Sequence, residues 1–487
     1  MLRLTWVQPE DLIGHELRQA AQDGRDATET ERRWIAAGGH LAPERAGASP
    51  APASSGLRSL AQELLDGLAR LPSPLAAAEP TVFQARAVRE DEPAGRRPEP
   101  DPRAETDRLH AAWLGRAIGC VLGKPVEKLP LDGIRAIARS TGNWPLNTWF
   151  SAENLDPRIA AAYPWNRRSR ATSLAENIDG MPEDDDLNYP LLGLMLLQRH
   201  GHGFTTADVA KLWLDELPAG RTFTAERIAY RNLLDGLEPP HTATHRNPFR
   251  EWIGAQIRAD VFGWACPGDP ASAAELAYRD AVLSHTANGV YGEMFVAAAI
   301  AHAAGPVPTT IHETLATALA HIPPDSRYAR AIRFGVDTAR AEPTGTPAGF
   351  ERVVDALHAR YAHTHHWVHV LPNAALLAAA LSHADGDFTG SICRAVSGGW
   401  DTDSNGATAG SIAGLLAGGP EALGERWTVP LRNRLATTVG GFDGIGFDEL
   451  ARLTLEVRAH PGGPRMTGPT ALGPATTPPV VHVRKAR

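Results

Sequence analysis

Two segments of this sequence carry a glycine at every fourth position, and that spacing limits the folds open to the chain more than any other feature. The glycines are Gly115, Gly119 and Gly123 in GRAIGCVLGKPVE, and Gly406, Gly410, Gly414 and Gly418 in the segment that begins with GGWDTDSN. Each glycine in a helix interior costs about 0.8–1 kcal/mol relative to alanine. A stripe without side chains offsets that cost when another backbone must approach closely. We therefore expect two smooth helices that pack tightly against each other.

Segments rich in alanine and leucine recur from residue 107 to residue 458, for example DRLHAAWLGRAIGCVLG, GEMFVAAAIAHAAG and NAALLAAALSHA. Their apolar residues follow the period of a helix, about 3.6 residues. Runs of alternating β-branched residues, which indicate strands, are almost absent. The sequence therefore predicts an all-α fold, with one domain of many helices in this region.

Residues 1–105 differ from the rest in composition. Two stretches, AGASPAPASSG and REDEPAGRRPEPDPRAETD, are rich in proline, alanine and charge and are typical of linkers. Between them, GLRSLAQELLDGLARL has leucines at helical spacing. We predict a helical N-terminal appendage with linkers over residues 1–105, a main domain over 106–459 and a disordered tail over 460–487. The linker composition suggests that few contacts join the appendage to the main domain.

The composition excludes several classes of protein. The 487 residues include 48 Lys and Arg against 56 Asp and Glu, a formal charge of −8, and no basic run that would bind nucleic acid. Three cysteines, Cys120, Cys266 and Cys393, have no paired spacing and make no disulfide framework, which favours a reducing compartment. The N-terminus lacks an apolar signal core, and no apolar run is long enough to span a membrane. We predict a cytoplasmic protein that binds neither nucleic acid nor membranes.

Acidic residues cluster beside the two glycine-striped segments and at one further place. The first segment ends at Glu127, and Asp401 and Asp403 precede the glycines of the second. The third cluster is EDDD at residues 183–186, directly before an apolar helix whose first turn accommodates Pro190. Helix capping explains one or two carboxylates, but four in a row repel one another unless a cation lies among them. Hard oxygen ligands without a Cys/His set favour Mg²⁺, Mn²⁺ or Ca²⁺ over zinc.

The stretch HARYAHTHHWVHV holds five histidines between residues 358 and 369. Neither cysteines nor a glutamate in a metalloprotease pattern accompany them, which disfavours a zinc site. We interpret these residues as surface or cleft histidines.

The three acidic segments, in this order and at this spacing, resemble the motifs of the ADP-ribosylglycohydrolases, the family that includes the dinitrogenase-reductase-activating glycohydrolases. The family's glycine-rich helix ending in glutamate is similar to GRAIGCVLGKPVE. Its Thr-Asp-Asp-Thr motif, which opens a helix, resembles EDDDL, and its Gly-Gly-Asp-Thr-Asp-Thr-Asn motif resembles GGWDTDSN. The stretch GAQIRADVFGWACPGDPASAAELAYRDAVLSHT resembles the family's substrate loop and the helix leading to a recurring histidine. The resemblance covers residues 107–458.

The resemblance implies an orthogonal all-α bundle with two Mg²⁺ ions, or Mn²⁺ in their place, at the base of a cleft. In the family these metals bind the hydroxyls of the distal ribose of ADP-ribose. Matched position by position, the metal ligands implied for this chain are Glu183, Asp184, Asp185, Asp401, Asp403 and Ser404. The residues implied to bind substrate are Gly254, Ala255, Gln256 and His285.

The chain departs from the family's motifs at five positions. Both threonines of the second motif are acidic, at Glu183 and Asp186, and Ser404 stands for the last threonine of the third. Trp400 interrupts the glycine–aspartate junction, and Cys120 replaces an aspartate common in the first motif. Because Glu183 and Ser404 can still donate oxygen to a metal, we expect the metal site to persist. The residues leave open whether arginine, serine or a small nucleotide carries the modification.

Hydrolysis of a glycosidic bond at C1 of ribose passes through an oxocarbenium-like state and needs a proton at the leaving group. Metals orient the ribose and polarise water in such a reaction, and a carboxylate transfers the proton. The candidates for proton transfer are Glu127 and Asp185. We prefer Glu127, because Asp185 is implied to be a metal ligand.

Three functions follow from the sequence. The first is a Mg²⁺-dependent hydrolase that removes ADP-ribose from a protein side chain. The second is the same chemistry on a small ADP-ribosyl, NAD-like or nucleoside molecule. The third is an ADP-ribose-binding protein without turnover, which the retention of Glu127, Asp184, Asp185, Asp401 and Asp403 argues against.

Overall fold

The computed structural model describes residues 4–41, 49, 51–82 and 101–462. Within these residues the chain forms twenty-two α-helices, six short 3₁₀-helices and no β-sheet, so the predicted all-α fold is confirmed. The tail predicted to be disordered lies outside the described residues from position 463 onward. Among the described helices, none combines the length and the apolar character that a membrane span needs.

The N-terminal helices are α1 (Pro9–Gln22), α2 (Thr28–Ala36) and α3 (Ser55–Leu68). The next group is α4 (Pro102–Gly123), α5 (Leu131–Ser140), α6 (Pro157–Ala162), α7 (Arg170–Ser173), α8 (Asp185–His200), α9 (Thr206–Glu216), α10 (Thr224–Leu234), α11 (His241–Thr244) and α12 (Asp260–Ala265). The last group is α13 (Pro270–Ala281), α14 (Ala287–Ala303), α15 (Ile311–Leu319), α16 (Arg327–Arg340), α17 (Phe350–Tyr361), α18 (Val370–His383), α19 (Phe388–Ser397), α20 (Thr402–Ala417), α21 (Glu425–Thr428) and α22 (Phe447–Ala459). The 3₁₀-helices are Lys124–Val126, Gly201–Gly203, Ala219–Arg221, Gln256–Arg258, Pro420–Leu423 and Val429–Leu431.

The two glycine stripes face each other across α4 and α20, as the sequence predicts. A Cβ atom placed on Gly119 would lie 1.8 Å from the carbonyl oxygen of Gly406, and one placed on Gly115 would overlap the carbonyl of Gly410 in the same way. No side chain fits at these positions, so the backbones of the two helices touch directly. Gly418 has a different role, because it ends α20 in the left-handed region with φ 88° and a Cβ there would meet nothing within 4 Å.

The second predicted linker ends earlier than its composition suggests. Its last residues belong to α4, which begins at Pro102. The side chain of Asp101 accepts a hydrogen bond from the backbone N–H of Arg103 at 3.0 Å. An aspartate cap followed by proline at the first helical position favours helix initiation, and this local signal prevails over the charged, proline-rich composition.

The N-terminal helices share one hydrophobic core with the main domain, so the expectation that few contacts join the two parts is wrong. Leu12 and Leu64 are fully or almost fully buried within that core. The Trp6 ring lies edge-on to those of Phe249 and Trp252, at centroid distances of 5.0 and 5.7 Å. The composition of the linkers describes only the residues between the helices and contains no information on how the apolar helix faces dock.

A network of buried ion pairs lies at the same boundary, and we call it the junction cluster. Its members are Glu16, Asp23, Arg25, Glu79, Arg250, Glu251 and Arg327. Arg250 contacts Glu16 at 2.7 Å, and Arg327 contacts Glu79 at 2.7 Å and Glu251 at 3.0 Å. Arg250 and Arg327 belong to the main domain and most of the carboxylates to residues 4–82, so these contacts cross the predicted domain boundary.

Candidate functional site

The helix pair formed by α4 and α20 brings three carboxylates together. The hydroxyl of Thr402 donates to the carbonyl oxygen of Gly123 at 2.8 Å, which fixes the start of α20 against the end of α4. As a result, carboxylate oxygens of Glu127, Asp401 and Asp403 all lie within 4.8 Å of one another. The glycine stripes therefore have a functional consequence: a side chain at these contacts would separate the two chain segments that carry the acids.

Two neighbours hold the Glu127 carboxylate in place. The side-chain amide of Asn166 donates to Oε2 at 2.6 Å, and the Lys128 ammonium contacts Oε1 at 2.6 Å. Glu127 is only partly buried, and it lines the cleft above the acidic residues. Its carboxylate is thus oriented and accessible at once, which a residue that exchanges protons with a substrate requires.

The N-terminus of α8 contributes the other acids. Asp184 caps this helix, accepting a hydrogen bond from the backbone N–H of Asp186 at 2.9 Å. Its other oxygen pairs with the Lys124 ammonium. Burial alone would raise the pKa of Asp184, but the charge of Lys124, together with the hydrogen bonds from Lys124 and from the backbone of Asp186, lowers it below the usual value. Asp184 therefore lies between the helix N-terminus and a cation supplied by the chain.

Pro190 lies in the second turn of α8 rather than in its first, where the sequence analysis placed it. At this position proline removes the hydrogen bond that the carbonyl oxygen of Asp186 would accept. Arg116 replaces that bond, since its Nε donates to the same oxygen at 2.6 Å. The Nη2 of Arg116 also contacts the Asp186 carboxylate at 3.3 Å, and its Nη1 contacts Asp260 at 2.8 Å. A buried arginine thus allows the proline inside the helix.

Three of the acids have no ion-pair partner among the described residues: Asp185, Asp401 and Asp403. Burial and the adjacent charges of Asp184 and Asp186 raise the pKa of Asp185 well above its usual value. Burial and the charge of Glu127 raise the pKa of Asp403 to about 7. Buried carboxylates that repel one another are stabilised by a multivalent cation, and oxygen donors suit Mg²⁺ or Mn²⁺. The donor set therefore fits the metal that the resemblance implies.

We call the six acids Glu127, Asp184, Asp185, Asp186, Asp401 and Asp403 the cleft-floor cluster. They lie at the base of a cleft of about 980 Å³. Two exposed arginines, Arg167 and Arg168, line the cleft as well. Thr5 and Trp6 of the N-terminal segment form part of its wall. The cleft thus combines an acidic floor, positive side chains and an aromatic wall.

Most of the site residues predicted from the sequence belong to the lining of this cleft, and three do not. Those that line it are Glu127, Glu183, Asp184, Asp185, Gly254, Asp401, Asp403 and Ser404. Ala255, Gln256 and His285 are fully buried behind the cleft wall. Gln256 accepts a hydrogen bond from the Tyr328 hydroxyl at 2.9 Å, and the imidazole Nδ1 of His285 contacts the Ser284 hydroxyl at 2.8 Å. These three side chains therefore support the wall from within the core.

Glu183 and Ser404 line the cleft but contact other protein groups. Glu183 pairs with Arg221 at 3.0 Å and accepts from Asn188 at 3.1 Å. The hydroxyl of Ser404 donates to the Asp186 carboxylate at 3.3 Å. The described residues form two groups of metal-compatible acidic or thiol side chains, Glu127, Asp401 and Asp403 and, separately, Cys120, Asp184 and Asp186, and Glu183 belongs to neither.

The second group contains two residues at which the chain departs from the family's motifs, Cys120 and Asp186. The Sγ atom of Cys120 lies 4.0 Å from Oδ2 of Asp186. Burial and the nearby carboxylate of Asp184 raise the pKa of the Cys120 thiol well above its usual value, so the thiol is uncharged. An aspartate is thus lost on α4, and one is gained on the facing end of α8. The sequence contains this signal, because both departures are visible when the motifs are compared together.

Glu226 is a cleft residue that the sequence analysis missed. Its carboxylate lies where a Cβ atom on Gly254 would be, and it contacts Arg258 at 3.1 Å. Gly254 is therefore needed so that the Glu226 side chain can pass against the loop and reach the cleft wall. Burial raises the pKa of Glu226 above its usual value despite the nearby Arg258. An isolated glutamate in a helix gives no sequence signal of such a position.

The match to a protein-family model agrees with the motifs. The sequence model of the ADP-ribosylglycohydrolase family matches residues 100–461 of this chain. No curated protein sequence matches the chain. A chain of a solved ADP-ribosylglycohydrolase-related protein complex is similar to it at 20% sequence identity and a TM-score of 0.46, over 73% of this chain and 99% of that one.

Proposed function

Because the chain belongs to the ADP-ribosylglycohydrolase family, a family of glycosidases that act on ADP-ribosylated substrates, we propose that it is a Mg²⁺-dependent hydrolase. Its proposed reaction is cleavage of the glycosidic bond at the distal ribose of ADP-ribose carried on a protein side chain. One observation carries the proposal: Glu127, Asp401 and Asp403 converge within 4.8 Å at the floor of the cleft, and the two aspartates have no ion-pair partner among the described residues.

We assign the proposed metal ligands to the cleft-floor cluster, with two ions, Mg²⁺ or Mn²⁺, as the family resemblance implies. Asp401, Asp403 and Asp185 have carboxylates that form no ion pair with a cation in the described part of the chain. When bound, such ions supply Lewis acidity and fixed orientation at the ribose hydroxyls. Arg167 and Arg168 line the same cleft and offer positive charge to the diphosphate of ADP-ribose.

Glu127 is the proposed acid/base. It takes a proton from water as the water oxygen bonds to C1 of the ribose, while the bond from C1 to the leaving group breaks. The proton then passes to the leaving group, so that free ADP-ribose and the unmodified side chain result. Asn166 and Lys128 fix the Glu127 carboxylate for this role. Asp185 is the alternative, and it lines the same cleft.

A second candidate substrate is a small ADP-ribosyl or NAD-like molecule. Thr5 and Trp6 favour it, because these residues of the N-terminal segment form part of the cleft wall although they lie outside the residues that match the family. A wall added to the cleft restricts access for a folded protein more than for a small molecule.

A release assay tests the proposed function. The full chain is incubated with arginine-linked and serine-linked ADP-ribosylated proteins and with small ADP-ribosyl compounds, with Mg²⁺, with Mn²⁺ and with a chelator. We expect release of ADP-ribose that needs the metal and that is lost in the Asp401→Asn, Asp403→Asn double variant. ADP-ribose binding without release from any substrate would show a binding protein and refute the enzyme proposal.

The role of Glu127 is tested with Glu127→Gln, which keeps size and hydrogen-bonding reach but cannot exchange protons near neutral pH. We expect turnover to fall by about 10²–10⁴-fold, while the dissociation constant for ADP-ribose changes far less. Glu153→Gln, at an exposed glutamate outside the cleft, is the matched control. Weaker metal and ADP-ribose binding in Glu127→Gln would make Glu127 a ligand, and turnover near that of the unmodified protein would move the proton transfer to Asp185.

A further inference from the structure

A second hollow, separate from the acidic cleft, lies where α1, α16 and α17 meet. Its volume is about 670 Å³. Four arginines line it, and no aspartate or glutamate does so; they are Arg18, Arg327, Arg330 and Arg360. We call it the arginine pocket. A pocket with four arginines and no carboxylate in its lining is unexpected in a chain whose formal charge is −8.

Two of these arginines have no carboxylate partner among the described residues. Arg330 donates from Nη1 to the backbone carbonyl oxygen of Asp325 at 2.7 Å. The guanidinium of Arg360 lies over the Phe334 ring, 4.3 Å from its centroid. Both side chains are exposed on the pocket rim. Their remaining N–H groups are therefore available to an anion that enters the pocket.

Arg327 differs, because the junction cluster compensates its charge from behind. Its guanidinium contacts Glu79 at 2.7 Å and Glu251 at 3.0 Å. It also donates to the backbone carbonyl oxygen of Gln22 at 3.0 Å. The carboxylates of the junction cluster thus face Arg327 from the core side, and none of them lines the pocket, so they do not neutralise Arg330 and Arg360.

The remaining lining is neutral and partly apolar. Tyr361 and Leu371 are buried and form apolar surface, and Thr364 adds a hydroxyl. Burial and the charge of Arg327 lower the pKa of His365 to about 4, so its imidazole is uncharged at neutral pH. An aromatic surface beside several guanidinium groups suits a ligand with both a ring and phosphates.

We propose that the arginine pocket binds a small molecule that carries two or more phosphates. Guanidinium groups bind phosphate oxygens through charge-assisted, often bidentate hydrogen bonds. The pocket is concave, and about 670 Å³ falls within the range of small-molecule sites, roughly 300–1,000 Å³. Nucleoside polyphosphates and inorganic polyphosphates share this chemistry, and the buried Tyr361 favours a nucleotide. Because α1 supplies Arg18, the ligand also connects the N-terminal segment to the main domain.

Calorimetric titration of the full chain with inorganic tripolyphosphate, in buffer without divalent cations, tests the proposal. We expect saturable binding that weakens as salt rises, since screening reduces attraction between charges. In the Arg330→Gln, Arg360→Gln double variant the dissociation constant should rise by about 10-fold or more. Arg333→Gln is the matched control, because Arg333 is an exposed arginine of the same helix that does not line the pocket.

Two further titrations identify the class of phosphate compound that binds and show whether it binds here or in the acidic cleft. Tighter binding of a nucleoside triphosphate than of tripolyphosphate would assign a nucleotide, and equal binding would assign an inorganic polyphosphate. The Asp401→Asn, Asp403→Asn variant should bind tripolyphosphate as the unmodified protein does, whatever its hydrolase activity. Equal affinity in the Arg330→Gln, Arg360→Gln variant, or no saturable binding up to about 1 mM, overturns the proposal.

Discussion

The junction cluster and the cleft-floor cluster both bury several carboxylates, but they compensate the charge differently. At the junction, Glu16, Glu79 and Glu251 each contact a guanidinium at 3.0 Å or less. At the cleft floor, Asp401 and Asp403 contact no cation of the described chain. Lys124 pairs with Asp184 and Arg116 with Asp186, but no described cation forms an ion pair with Asp185, Asp401 or Asp403.

The difference separates a structural use of buried acids from a functional one. Where the chain supplies the cations, the charges are satisfied on folding and the cluster holds two parts of the molecule together. Where it does not, burial and the charges of neighbouring carboxylates raise the pKa values of Asp401 and Asp403, and an external cation offsets the repulsion between them. Perturbed groups in a cleft are typical of active sites.

The largest effect on stability is expected from Arg327→Met. This change leaves Glu79 and Glu251 buried without their main cation, and removal of one partner of a buried pair costs about 3–5 kcal/mol. The free energy of unfolding, measured by urea denaturation, should fall by that amount. Arg333→Met on the same helix is the control, since Arg333 is exposed. A loss no larger than that of Arg333→Met would show that the junction cluster does not hold the N-terminal helices.

At the cleft floor, in contrast to the junction, removal of charged side chains should not lower the stability of the metal-free protein. Asp401→Asn with Asp403→Asn removes repulsion, so the metal-free protein should be as stable as the unmodified one or more stable. The unmodified protein should gain about 2.7 kcal/mol at a Mg²⁺ concentration of about 100 times Kd, and the double variant should gain nothing. Differential scanning calorimetry measures both, with the exposed Asp235→Asn as control. A metal-dependent gain that persists in the double variant excludes these two aspartates as ligands.

The arrangement of the cleft floor can be predicted well from the sequence, because the residues that determine it are close together in the sequence within each of the two glycine-striped segments. The glycines of α4 and α20 recur with the helical period, so the face that they form follows from spacing alone. Glu127, Asp401 and Asp403 lie directly beside those glycines in the sequence, and the contact of the two helices brings them together. The residues that adjust the site are remote: Arg116 lies on α4 and compensates for Pro190 on α8.

The junction cluster could not be predicted in this way. Glu16 and its partner Arg250 are separated by 234 residues, and no motif or period connects them. Composition identified the linkers but not the docking of the helices between them, because ion pairs and apolar contacts between distant segments depend on the tertiary arrangement. The same reason explains why Glu226 and Trp6 were missed as cleft residues.

A smaller effect is expected from Gly119→Ala, which disturbs the base of the cleft floor. A Cβ atom there would overlap the carbonyl of Gly406, and overpacking of this kind costs about 1–3 kcal/mol. Metal affinity should weaken as well, because α4, which leads into the segment with Glu127, and α20, which carries Asp403, must move apart. Gly56→Ala is the control: Gly56 lies in α3 with nothing near its Cβ position, so alanine should stabilise by about 0.5–1 kcal/mol. Equal effects of the two changes would contradict close packing of α4 and α20.

The smallest expected effect is on the pH dependence of stability, in which the junction should differ from the cleft floor. His15 is buried among Trp6, Phe249 and Trp252, and burial, with a contribution from Arg18, lowers its pKa from 6.5 to about 3. Between these values the unfolded chain binds a proton at His15 that the folded chain does not bind. Stability therefore falls as pH falls below 6.5, by up to about 1.4 kcal/mol per pH unit from this group.

The variant His15→Gln removes the imidazole that binds this proton in the unfolded chain. The slope of the unfolding free energy against pH should therefore become shallower between pH 6.5 and 5. The control is His363→Gln, at an exposed histidine, which should leave the slope unchanged. Urea denaturation at several pH values measures the slope. The cleft-floor carboxylates do not produce the same signal: Asp403, with its pKa raised to about 7, is protonated in the folded state below that value and so stabilises the protein as pH falls. An unchanged slope in His15→Gln would show that this histidine is not held neutral at the junction.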